Sequence, residues 1–127
     1  MKLHTPTDHP EAVGYTHGVQ TDGPLLFVSG QTPKRPDGGP VAEDPTDQIR
    51  QVFANIENVL KTAGAGFDDV VHLRVFLADR QHQKALKVAR TEAMGDLRPG
   101  ITVVICGIYD EAWVAEIEAV AELPTAG

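Results

Sequence analysis

The chain has 127 residues, 42% hydrophobic and 23% charged, long enough to bury a core as one domain, 1–127, without metal or disulfide staples. A net charge of −7 gives no basic field to gather phosphates, which argues against nucleic-acid binding. The apolar runs "LLFV" and "ITVVICGI" fall far short of the ~20 residues of a membrane helix, and the polar start "MKLHTPTDHPE" has no signal-peptide core, so a cytoplasmic chain with no membrane partner is expected.

In chain order, Gly14–Val19 and Pro24–Gln31 read as two strands of a hairpin, joined by "QTDG" with Asp22 and Gly23 at the tip. "TPKRPDGGPVAED" is then a loop, because its prolines and glycines would break any regular element. Asp44 and Pro45 mark a helix start, an acceptor for free N–H groups followed by a ring preset for the first turn. Ile49, Val52, Phe53, Ile56, Val59, Leu60 and Ala63 recur at helical steps and form its inward stripe, and Gly64 supplies the stop.

"DDVVHLRVFLAD" alternates with period two. Val71, Leu73, Val75 and Leu77 make one apolar face, and Val70, His72, Arg74 and Phe76 the other. Asp79 is placed to cap a second helix through Met94, with Ala85, Leu86, Ala89 and Ala93 inward and Gly95 closing it. Ile101–Ile108 and Trp113–Ala121 read as two final strands around "YDEA".

The order β-β-α-β-α-β-β predicts an α+β fold with two helices on one face of a mixed sheet. The second face still carries Val70 and Phe76, so an oligomer that covers it is expected. The single Cys106 cannot form an internal disulfide, and the five histidines show no chelating spacing, so no metal is expected.

"VGYTHGV", "LLFVSGQ", "QIRQVFANIENVLKTAGAGFDDVVHLRVFLAD", "RPGITVV" and "AEIEAVA", in that order, resemble the Rid family, also called the YjgF/YER057c/UK114 or L-PSP family, over nearly the whole chain. The resemblance implies a chorismate-mutase-like subunit in a homotrimer, with a small-molecule ligand in each inter-subunit cleft and no cofactor. It also implies hydrolysis of enamines and imines to 2-oxo acids and ammonia. The endoribonuclease activity suggested by one family name is disfavoured by the acidic charge. A non-catalytic trimer that binds a metabolite or a protein partner is the alternative.

Carried onto this sequence, the resemblance makes Glu116 the carboxylate that orients the attacking water, although an exposed strand glutamate like Glu118 or Glu122 is the plainer reading. Tyr15 matches a cleft tyrosine, and Ser29 and Gly30 match a segment where backbone approaches the ligand. The family's carboxylate-clamping arginine, suited to the work by its planar fork, is replaced by Ile101, followed by Thr102. The usual substrate clamp is therefore missing, and a non-standard substrate is expected. His17 replaces a usual glutamine beside Tyr15 and either adds an imidazole to the cleft or lies on the surface. Arg74 must pair with a carboxylate or meet a ligand, while Arg98, just before Pro99, is expected to point mainly to solvent.

Overall fold

The computed structural model describes residues 1–124. Its main sheet has four strands: β3 (Leu25–Gln31), β4 (Val70–Leu77), β5 (Gly100–Ile105) and β6 (Ala115–Glu122), ordered β3-β6-β4-β5. β4 and β5 run parallel, and β6 is antiparallel to both β3 and β4. Helices α1 (Pro45–Thr62) and α2 (Gln83–Met94) pack side by side on one face. This is the α+β layer expected from the sequence.

The first helix follows its sequence signals closely. Asp44 Oδ2 accepts from the Asp47 N–H at 3.0 Å, and Pro45 opens the first turn. Ile49, Val52, Phe53, Ile56 and Leu60 are buried against the sheet. Gly64 takes a φ of +73°, so the N–H groups after the last turn can bond back to Leu60 and Lys61. Ala63, expected inward, instead caps this end and is exposed. Asp79 caps a single 3-10 turn, Arg80–His82, and α2 begins only at Gln83.

The expected hairpin does not form. β1 (Lys2–His4) pairs antiparallel with β2 (Gly18–Gln20) in a separate two-stranded sheet, and β3 pairs with β6 instead. Glu122 accounts for the difference at the expected turn. Its Oε2 accepts the backbone N–H groups of Asp22 and Gly23 at 2.8 and 3.0 Å, tying that turn to the end of β6. Those two backbone donors hold the Glu122 carboxyl down to about 2.

On β4, Leu73, Val75 and Leu77 point into the core as expected, but Val70 joins them. An irregular register against β6 between Val70 and His72 turns Val70 inward and removes it from the uncovered face. β5 stops at Ile105, where the Cys106 N–H makes a last bond to the Leu77 carbonyl. Trp113 is buried in the turn before β6 rather than in the strand.

The turn before β6 is fastened by the buried amide of Gln48. Its Nε2 donates to the Ala42 and Ala112 carbonyls at 2.9 and 3.0 Å, and its Oε1 accepts from the Val114 N–H at 2.9 Å. Gln48→Ala leaves three backbone groups without this partner in a nearly closed environment. The expected cost is about 2 kcal/mol, read as a fall of roughly 8 °C in a thermal melt of a chain this size.

Candidate functional site

The face of the sheet away from the helices is uncovered, and strand register arranges its side chains in rows. Thr102, Arg74 and Glu118 are neighbours across β5, β4 and β6, and Val104, Phe76 and Glu116 form the next row. Phe27 is 72% exposed and Val104 37%, which makes this face apolar as well as charged. Arg74 Nη1 bonds Glu118 Oε1 at 2.5 Å, the carboxylate pairing expected of it. Arg74 is thereby neutralised beside the site.

Glu116 has an unusual neighbour. An irregular pairing between Val28 and Gln31 breaks the β3–β6 ladder at Ser29 and Gly30. Gly30 then passes so close to Glu116 that an added Cβ would lie 2.9 Å from its Cδ and 3.1 Å from its Cγ. Glycine here leaves the Glu116 carboxylate its place over the β3 backbone. The sequence-predicted Glu116 and Gly30 come together, while the neighbouring Ser29 lines a hollow of the same face with His72, Arg74 and Glu118.

His72 lies one row further along the same face, and burial, followed by the nearby Arg74 charge, lowers the pKa of its imidazole. Among the described residues no group of three or more His, Cys, Asp or Glu could hold a metal ion. No helix there is long and apolar enough to cross a membrane.

Ile101 and Tyr15 sit elsewhere. Ile101 is level with Leu73 in the parallel β4–β5 register, so it faces the helix side of the sheet. With Tyr15, Leu86, Arg90 and Arg98 it lines an open cleft of about 740 Å³ at the β5 edge. The Thr16 N–H donates to the Pro99 carbonyl at 3.1 Å, holding the Tyr15 segment beside the entry to β5. His17 stands behind Tyr15 with ring centroids 5.4 Å apart and donates from Nε2 to the Pro10 carbonyl at 2.7 Å. It braces the tyrosine and does not line the cleft.

Apart from His17, the predicted residues thus fall into two candidate half-sites on opposite faces of one sheet. A ligand touching both Ile101 and Glu116 would need them from two different copies of the chain.

Residues 6–123 match the family model described as Endoribonuclease L-PSP. The chain belongs to this family. A RutC family protein of Pyrococcus horikoshii is 32% identical over 114 residues, covering 88% of this chain and 90% of its own. The protein HMF1 of Saccharomyces cerevisiae is 31% identical, covering 87% and 84%. A solved structure of a Rid-family protein from Yersinia pestis superposes with a TM-score of 0.83 at 27% identity, covering 96% of this chain and 98% of that one.

Within this L-PSP fold, α2 brings to the cleft cations that the sequence alone does not single out. Lys87 and Arg90 join Arg98 on its lining, and Arg98 is exposed while lining it. Arg90 Nη1 donates to the Gly14 carbonyl at 3.1 Å, and Gly14 itself holds a φ of +78°. The available signal was the four- and three-residue spacing of Gln83, Lys87 and Arg90, which puts them on one side of the helix. It resembles any solvated helix face until β5 is laid beside it.

Proposed function

We infer that this chain is a small-molecule hydrolase of the enamine/imine deaminase type, working in clefts between the subunits of a homotrimer. The observation that carries the reading is the Glu116 carboxylate on an uncovered sheet face, in the space left by the absent Gly30 side chain. Family membership supports it. So does a Salmonella typhimurium relative named 2-iminobutanoate/2-iminopropanoate deaminase, 39% identical over 71 residues that make up 55% of each chain.

In this mechanism Glu116 accepts a proton from water as the oxygen attacks the C=N carbon. The nitrogen takes up a proton, giving a carbinolamine. Collapse of that intermediate forms the C=O bond, breaks the C–N bond and releases ammonia. The second half-site, with Tyr15 and Ile101 from a neighbouring copy, would hold the rest of the substrate. Covering the face that bears Phe27, Phe76 and Val104 supplies the reason for assembly.

Two measurements test this reading. Light scattering at micromolar concentration is expected to report about three times the 13.7 kDa chain mass. A coupled assay with freshly generated imines is expected to show ammonia release above the spontaneous rate. A persistent monomer removes the inter-subunit cleft; a trimer that releases no ammonia across a panel of imines is a binding protein instead.

A further inference from the structure

We propose that the cleft between α2 and β5 binds an organic monoanion with an extended apolar body, its charged end held by Lys87, Arg90 and Arg98 rather than by a strand residue. The proposal concerns the ligand class of the half-site that contains Ile101, and it rests on the deaminase reading for the chemistry but not for the binding.

The protein carries 18 acidic against 11 basic residues, and Arg35, Arg50, Lys61 and Arg74 are each within ion-pair distance of a carboxylate. None of the other seven basic residues forms such a pair among the described residues, and three of them, Lys87, Arg90 and Arg98, line one cleft. Among the described residues no acidic one lines it with them. Three like charges gathered without a counter-charge on an acidic chain repel one another, and an anionic ligand relieves that repulsion.

The cleft walls are apolar. Val13 is 79% exposed and Val103 42%, and both line the same cleft as the half-buried Ile101 and the buried Leu86. A short oxo acid would leave most of this apolar surface wet. A chain of several methylenes laid along it gains roughly three- to fourfold in affinity for each one buried. The volume, about 740 Å³, falls in the range that takes a ligand of that size.

The three cations are held differently. Arg90 is anchored through Nη1 on the Gly14 carbonyl, which holds the guanidinium beside Gly14 in the cleft lining. A Cβ on Gly14 would meet Arg90 Nη2 at 3.0 Å. Among the described residues Lys87 and Arg98 have no such anchor, and both are exposed, so they can close on the ligand.

Titration calorimetry with octanoate, acetate, 1-octanol and octylamine, on the intact oligomer, tests the proposal without requiring turnover. Octanoate is expected to bind at least tenfold tighter than 1-octanol or acetate, and octylamine not at all. Lys87→Gln and Arg98→Gln are each expected to weaken octanoate by about three- to tenfold, and Lys87→Gln/Arg98→Gln to flatten its salt dependence. Equal binding of octanoate and 1-octanol, or binding of octylamine, overturns the proposal. So does a Lys87→Gln/Arg98→Gln variant with unchanged octanoate affinity but a weakened oligomer, since a carboxylate of a neighbouring copy would then be the partner of these cations. Ammonia release is measured separately: octanoate binding without turnover on any imine sinks the hydrolase reading and leaves this one standing.

Discussion

Gly30→Ala is expected to leave the protein folded and oligomeric while removing nearly as much ammonia release as Glu116→Ala, about 10²- to 10³-fold for either. Gly30 is not among the positive-φ glycines, so its backbone accepts an alanine without conformational strain. The new methyl meets the end of the Glu116 side chain, not backbone. A flexible glutamate yields cheaply by rotating away, and stability hardly changes. Its carboxylate, however, leaves the place from which it would orient water.

The comparison is informative because Gly30→Ala retains the acid group and alters its position alone. The measurement is the turnover number for each variant at matched oligomeric state and matched melting temperature. Full activity in Gly30→Ala would show that the Glu116 position seen here is not the working one. Full activity in Glu116→Ala would remove it from the chemistry altogether.

Much of this architecture was legible because it rests on local signals. The α1 stripe, its Asp44 cap and Gly64 stop, and the inward Leu73, Val75 and Leu77 of β4 follow from periodicity and end chemistry within a few residues. The β2–β3 hairpin failed for a non-local reason. A turn at Asp22 and Gly23 looks like a hairpin tip, yet its donors belong to Glu122, 100 and 99 residues away. Val70 failed through one register irregularity, which shifts a side chain to the opposite face.

The candidate site was legible as residue types and illegible as geometry. Nothing local says that Ile101 and Glu116 lie on opposite faces; that follows from the β4–β5 and β4–β6 registers, which set Ile101 beside Leu73 and Glu116 beside Phe76. Lys87 and Arg90 escaped notice for a similar reason. On their own helix they form an ordinary polar side, and the parallel crossover that brings β5 next to α2 makes them the rim of a cleft.

Ile101→Arg is expected to raise activity on 2-iminopropanoate by roughly ten- to a hundredfold, the effect of a restored bidentate carboxylate contact expressed in the transition state. Ile101 is half-buried in the cleft lining, level with Leu73, so an arginine there has open space to extend into. The short substrate gains a clamp near its reacting carbon. A long anion loses apolar lining and meets a fourth cation displaced from its charged end, so octanoate affinity is expected to fall in the same variant. Imine hydrolysis by the natural chain, Ile101→Arg and Ile101→Arg/Glu116→Ala decides the matter, since the gain must vanish without Glu116. Vigorous turnover of 2-iminopropanoate by the natural chain would mean that Arg90 or Arg98 already serves as the clamp. An oligomeric Ile101→Arg with no gain would mean that more than one residue separates this cleft from one that processes short imino acids, and that its walls are shaped for a different ligand.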